Sequence, residues 1–362
     1  TVDVVYSDAA AEQLAERLRA HAGGGTALVI ADQRTWEIAG RAAAAACAAA
    51  GWTTRAHVVP DGARGTPVCD DATFADLCAA APAAALYVAV GSGVINDLTK
   101  WLAFARGAPY AVLATAASMN GYAAANVAPT IKGVKVLERA QAPLMVAAQP
   151  RTLAAAPWRL TAAGLGDVIA KPVSVADWRL NHLLHGEHFC ARCAELITDL
   201  EPQYMEQPAA LRAGAPQALA ALFHALVYSG VAMTMMGSSA PASGGEHLFS
   251  HTLDMMDAVD EGGHDLHGRQ VGVGTIIAAE LHRRIWAQAA WRALAMPAAI
   301  DAGFWGALAP AIAAQYAAKQ AALERMRLAL DDATGWSKLR AVMQAGSTAV
   351  EQVAGCLRAA GA

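Results

Sequence analysis

Charge is scarce in this sequence. Asp, Glu, Lys and Arg make up 16% of its 362 residues against 56% apolar residues, which excludes a disordered chain and provides for a large buried core. Neither sign of charge dominates, and a net charge of −4 argues against a general nucleic-acid binder. Cysteine is scarcer still. Six, scattered over the chain, do not make a disulfide framework and suit a reducing, cytoplasmic compartment. Cys190 and Cys193 form one C-x-x-C without a second pair, which reads as helix packing. No signal peptide and no membrane span is read, since the alanine run over 41–50 is too short and too weakly apolar to cross a bilayer. What is abundant is alanine, which favours helices and close helix packing. The length sets a prior of about two domains.

Taken in order, the first part alternates short apolar runs with amphipathic segments. Strands are expected at 27–31, 57–60, 85–90, 110–114 and 144–148, with helices at 34–50, 74–81 and 94–105. This alternation implies a parallel sheet with helices on both faces. Residues 117–135 have no clean period and read as a long loop or hairpin over the sheet edge. Pro150, Pro157 and Gly164 mark a change of texture, after which nearly every segment reads as helix: 168–185, 188–200, 217–236, 245–258, 269–295 and at least three more. The expected organisation is therefore an α/β Rossmann-like domain over 1–157 and an all-α domain over 158–362.

Two features carry chemistry. Val90-Gly91-Ser92-Gly93-Val94 closes a strand and opens a helix, where glycines let the backbone approach a pyrophosphate and the helix N-terminus offers N–H groups. Asn96 stands in the third glycine place, so an ordinary strand–helix turn remains an alternative. Thr115-Ala116-Ala117-Ser118 follows the next strand, and open parallel sheets bind nucleotides between two such neighbouring loops. Further on, His247 and His251 stand one helical turn apart on one face. They suit a divalent metal, or one holds the metal and the other its substrate, or both are solvated. Asp167 in a glycine-rich segment, with His264 and His267 just downstream, favours the metal.

In order, Gly91 to Lys100, Thr115 to Tyr122, Ala163 to Asp167 with Lys171, Gly244 to His251, and His267 to Gly274 resemble the sn-glycerol-1-phosphate dehydrogenases, in their bacterial branch. That family belongs to the glycerol dehydrogenase, iron-containing alcohol dehydrogenase and dehydroquinate synthase-like group. The resemblance runs from about residue 27 to 285. It implies a dehydroquinate synthase-like fold and NAD- or NADP-dependent reduction of dihydroxyacetone phosphate at one divalent metal, zinc or nickel. By the family's pattern Asp167, His247 and His267 ligate the metal and His251 faces the substrate. Asn120 stands where many members carry an Asp that contacts substrate, and Gly91, Ser92, Gly93, Val94, Ile95, Asp97, Thr115 and Ser118 hold the dinucleotide. The stretch between His251 and His267 carries Asp260-Glu261-Gly262-Gly263-His264 as additional length, so His264 is a rival third ligand.

Two imidazoles and a carboxylate leave a metal position open for a ketone oxygen. His251 is placed to hydrogen-bond a hydroxyl or relay a proton. A phosphorylated ketone or polyol needs cations. Lys171, four residues after Asp167, is expected on the same helix face, with Lys132, Lys135 and Arg269 as weaker candidates. Asp32, just past the first expected strand, is a candidate for the adenosine ribose, while Arg34 offers a charge to a 2′-phosphate. The partners expected are this small phosphorylated substrate and further copies of the chain, most simply as a dimer.

Overall fold

The computed structural model describes all residues except 261, 262, 264, 292–296, 331 and 332. Its first half runs β1 (Asp3–Tyr6), α1 (Ala10–Ala22), β2 (Thr26–Asp32), α2 (Gln33–Thr35), a π-helical turn into α3 (Arg41–Ala49), then β3 (Thr53–Val59), α4 (Asp71–Ala80), β4 (Leu86–Gly91), α5 (Gly93–Ala105) and β5 (Tyr110–Ala114). Four two-residue strands follow: β6 (Asn126–Val127), β7 (Thr130–Ile131), β8 (Val134–Lys135) and β9 (Glu138–Arg139). These pair antiparallel, β6 with β9 and β7 with β8, in the segment expected to be loop or hairpin. Strand β10 (Met145–Ala148) completes a six-stranded parallel sheet in the order β1-β10-β5-β4-β2-β3. The chain steps from β2 outward to β3 and then returns to the other side of β2, so the order reverses between β2 and β4. Crevices at such reversals are where open parallel sheets take ligands.

Everything after β10 is helical or irregular among the described residues: α6 (Pro150–Ala155), α7 (Trp158–Ile169), α8 (Lys171–His185), α9 (Ala191–Ala194), α10 (Glu201–Met205), α11 (Pro208–Arg212), α12 (Pro216–Met236), α13 (Gly245–Asp260), α14 (His267–Trp286), α15 (Ala302–Trp305), α16 (Ala309–Leu330), α17 (Ala333–Ala345) and α18 (Val350–Ala360). Alternation along the strands builds two core layers. Val29, Val88 and Val90 face Leu14 and Leu18 of α1 and Cys47 of α3. Leu28, Ile30, Tyr87 and Val112 face the other way, onto Leu98 and Leu102 of α5 and onto Leu165 of α7 and Phe223 and Leu226 of α12. The sheet and the helical half thus share one continuous core.

Several elements differ from the sequence reading. Strand β1 and helix α1 were not expected, although Leu14 and Leu18 repeat at helical spacing and Gly23 ends the helix in a left-handed conformation. The helix expected over 168–185 is two helices broken at Ala170, because Pro172 has no N–H for the carbonyl of Val168. The helix expected over 188–200 shrinks to α9, where α8 side chains take the backbone's hydrogen bonds. Trp178 Nε1 donates to His188 O at 2.9 Å, and His182 Nδ1 pairs with Glu187 O at 2.7 Å. Helix α14 stops at Trp286, whose carbonyl accepts from Gln344 Nε2 at 2.7 Å, rather than running to 295; residues 292–295 lie outside the described residues. Helix α12 is long and apolar enough to cross a membrane, contrary to the sequence reading that no stretch is, but 61% of its most apolar window is buried within this structure.

Glycines set how closely the helices approach. A Cβ on Gly268 of α14 would fall on Ala163 O of α7, one on Gly166 of α7 would fall on Gly268 O, and one on Gly164 would fall on Ala117 O of the loop after β5. Gly274 of α14 meets Glu246 O of α13 in the same way. By contrast, Gly355 in α18 faces nothing within 4 Å. Gly355→Ala is therefore expected to raise stability by up to about 1 kcal/mol. Gly268→Ala is expected to lower it by at least about 1–3 kcal/mol, because backbone must move. Urea denaturation of both variants checks this, and equal effects would contradict the described crossings.

Candidate metal centre

Asp167 lies near the end of α7, His247 in the first turn of α13, and His267 opens α14. The glycine crossings bring these three helices together, and one ligand atom from each of the three residues lies within 4.8 Å of the other two. His247 Nε2 stands 3.4 Å from Asp167 Oδ1. That is long for a charge-assisted hydrogen bond, yet two ligands about 2.0–2.2 Å from a tetrahedral ion sit about 3.3 Å apart. Asp167 Oδ1 is buried without a hydrogen-bond partner among the described residues, while Oδ2 accepts the backbone N–H of Asn120 at 2.7 Å. A buried carboxylate oxygen left in this way fits a cation.

The hydrogen bonds behind the two imidazoles select their tautomers. Ser250 Oγ donates to Gln270 Oε1 at 2.7 Å, so at 2.7 Å from His267 Nδ1 it acts as acceptor. His267 is then protonated at Nδ1 and offers Nε2 as its ligand atom. His247 Nδ1 donates to Glu246 Oε1 at 2.9 Å, which likewise turns Nε2 toward Asp167. Burial opposes charge on His247, but Asp167 and Glu246 outweigh it and hold the imidazole up at about 9. In the absence of a metal, then, the pocket favours a positive charge at this point. The donor set of one carboxylate oxygen and two imidazole nitrogens fits a divalent ion with one position left for substrate.

His251 does not join the three. Its ring lies 6.3 Å from that of His247 and stacks at 5.7 Å on His267. Burial, with His247 and Lys135 nearby, pushes its imidazole down to about 4, so it is neutral at pH 7. Asn120 touches the cluster through its main chain. Among the candidate phosphate cations, Lys135 is the one whose charge is felt at His251, and its Nζ is 3.5 Å from Asp254 Oδ2. Lys132 is exposed in the turn between β7 and β8, and Arg269 is paired with Asp265 at 3.0 Å. Lys171 opens α8 instead of sharing a helix with Asp167, and its Nζ donates to Cys193 O and Pro241 O at 3.3 and 3.1 Å. The shared face expected for it is therefore not formed. His264 lies outside the described residues.

At the sheet, Gly91 ends β4, Ser92 caps α5 without a side-chain hydrogen bond, and a Cβ on Gly93 would meet nothing within 4 Å. The first turn of a 13-residue helix thus carries no side-chain cap. Thr115 and Ser118 are nearly buried on the neighbouring loop, where Thr115 N donates to Gly91 O at 3.1 Å. Val94 is half-buried and packs against the core, in which Ile95 sits. Asp97 receives Asn96 Nδ2 at 2.9 Å and the fully buried Lys100 Nζ at 3.4 Å. At the end of β2, Asp32 caps α2 by accepting Thr35 N at 2.8 Å, and Arg34 is engaged by Asp61 at 2.7 Å. Spacing alone did not single out Glu246, Ser250, Gln270 or Lys100; the first two lie inside the Gly244–His251 string without a pattern that marks them.

The sequence matches the iron-containing alcohol dehydrogenase family over residues 5–157. A glycerol-1-phosphate dehydrogenase (NAD(P)+) of Bacillus licheniformis is 30% identical over 283 residues, 78% of this chain and 70% of that protein. The protein of the same name from Pyrococcus furiosus is 41% identical over 199 residues, so the match spans little more than half of each, 55% of this chain and 56% of that protein. Among solved structures, glycerol dehydrogenase from Schizosaccharomyces pombe superposes with a TM-score of 0.62 at 16% identity, covering 79% of this chain and 73% of that one. An archaeal alcohol dehydrogenase from a Red Sea brine pool gives 0.63 at 14% identity over 100% of this chain and 85% of that one. These two likenesses show the fold, a parallel α/β layer followed by helices.

The position of Lys171 has a consequence for stability. Burial pushes its ammonium down to about 8, against the pull of Glu201. This lies below the unfolded value of about 10.4, so the proton opposes folding. Its contribution is least favourable below about pH 8 and improves as pH rises toward about 10.4. Relative to Lys171→Met, the wild-type unfolding free energy is expected to climb across that window. Parallel pH dependences in urea titrations would contradict the burial described.

Proposed function

The chain belongs to the glycerol-1-phosphate dehydrogenase family, and on that premise we propose that it reduces dihydroxyacetone phosphate to sn-glycerol 1-phosphate with NADH or NADPH at one divalent ion, zinc or nickel. The observation that carries this reading is the convergence of Asp167, His247 and His267, with Asp167 held by Asn120 of the loop after β5. When bound between these three, the ion supplies Lewis acidity to a ketone oxygen. The nicotinamide supplies the hydride.

The chain's own residues do the rest. The N-terminus of α5, opened by Gly93, receives the pyrophosphate, and Thr115 and Ser118 line the neighbouring loop. Asn120 N–H fixes Asp167, and Glu246 and Ser250 fix the two imidazoles, so the donor atoms are set before substrate arrives. His251, neutral at pH 7, hydrogen-bonds a substrate hydroxyl and relays a solvent proton, one ring nitrogen taking it up as the other gives its own to the oxygen that gains it. Lys135, whose charge reaches His251 and which is paired with Asp254, is the cation we assign to the phosphate. Val273, Ile277, Leu281 and Ile285, each 38–58% exposed along one side of α14, are the face we assign to a second copy of the chain.

Activity is expected with dihydroxyacetone phosphate, to be lost on chelation and restored by zinc or nickel. His247→Ala should cost more than the roughly 100-fold typical of removing an outer-shell partner. Lys135→Met should raise KM for dihydroxyacetone phosphate about tenfold or more while leaving the slow turnover of unphosphorylated dihydroxyacetone unchanged. Undiminished turnover by chelated enzyme, or preference for the unphosphorylated ketone, would refute the reading. Ile277→Glu is expected to lower the sedimentation mass to that of one chain; an unchanged mass would remove α14 from the interface.

A further inference from the structure

Glu246 is fully buried, and among the described residues no arginine or lysine is paired with it. Its Oε1 accepts Gly244 N–H at 2.7 Å and His247 Nδ1–H at 2.9 Å, while Oε2 is buried with no hydrogen-bond partner. A second carboxylate, Asp177, lies close by: both its Oδ2 and Glu246 Oε2 fall within 3 Å of where a Cβ on Gly244 would stand. Asp177 has its own partners, His282 Nε2 at 2.7 Å and Gly245 N–H at 2.7 Å. Glu246 takes both of its hydrogen bonds on Oε1, whereas those of Asp177 are shared between its two oxygens. A buried carboxylate with one oxygen unanswered is costly unless a nearby positive charge offsets it.

We infer that Glu246 is a positioning residue of the metal centre, a second carboxylate whose charge, added through His247 to that of Asp167, makes the site electrically neutral around a divalent ion. This rests on the reading of Asp167, His247 and His267 as the ligands. The charge count follows directly: two neutral imidazoles and one carboxylate leave a divalent ion with one uncompensated charge in a buried site, and Glu246 supplies the balancing one. It also makes His247 a stronger donor, because a carboxylate accepting from Nδ1 raises the electron density at Nε2. Ser250, a neutral acceptor behind His267, orients its imidazole without adding charge. The two histidines are thus unequal, and the carboxylate-backed one is the tighter ligand.

Zinc affinity of the full chain, measured by competition with a chromophoric chelator, tests this. Glu246→Gln keeps the shape and an acceptor oxygen but removes the charge, so a purely structural role would be satisfied by it. The expected result is binding weakened about 10- to 100-fold in Glu246→Gln, with the metal-free thermal midpoint retained, and a smaller loss in Ser250→Ala. Glu246→Ala should lose at least as much affinity as Glu246→Gln. Wild-type affinity in a folded Glu246→Gln would overturn the inference while leaving the three ligands in place. Failure of the wild-type chain itself to bind zinc or nickel would overturn the ligand reading and this inference with it.

Discussion

Backbone contact between helices is the constraint on which the site depends. Asp167 comes from α7, far upstream of the consecutive helices α13 and α14 that carry His247 and His267, and imidazole and carboxylate side chains are short. Their donor atoms meet because Gly166, Gly268 and Gly274 let α7, α14 and α13 approach until carbonyl oxygens lie where a Cβ would otherwise be. Gly164 does the same between α7 and the loop after β5, which brings Asn120 N–H to Asp167. The glycines therefore act on the chemistry through distance, and the hydrogen bonds from Asn120, Glu246 and Ser250 then set orientation.

The second organising feature is the shared core. Leu165 of α7 and Phe223 of α12 pack in the same layer as Tyr87 and Val112 of the sheet, so the helix that carries Asp167 is seated on strands β4 and β5. Parallel strands fix the direction in which α5 and the 115–118 loop emerge, and the reversal of strand order between β2 and β4 opens the crevice there. The groups proposed for metal and dinucleotide thus stand on elements that share one core, which fixes their mutual distance.

Much of this is legible in the sequence, for identifiable reasons. Strands buried on both faces read as unbroken apolar runs, so β2, β4, β5 and β10 stand out, and Gly91-Ser92-Gly93 marks the turn into α5. Strand β1 escapes because four residues at a sheet edge carry too little pattern, and the helix expected from 188 starts late where the Trp178 side chain takes the carbonyl of His188. Lys171 looked equivalent to a residue one turn beyond Asp167, but the proline after it breaks that register. The glycine crossings and the role of Glu246 are tertiary: each depends on which atom of another segment lies opposite, and spacing along one chain does not carry that information. The metal trio was reached through family resemblance; the spacing alone also allowed His251 and His264.

The account stands or falls on where a metal goes. Crystals of the full chain equilibrated with zinc, with diffraction recorded at the zinc absorption edge, measure that directly. The account expects one strong anomalous peak at bonding distance from Asp167 Oδ1 and from Nε2 of His247 and His267. A peak ligated by His251 or His264 in place of His267, or no peak among these helices, would contradict it.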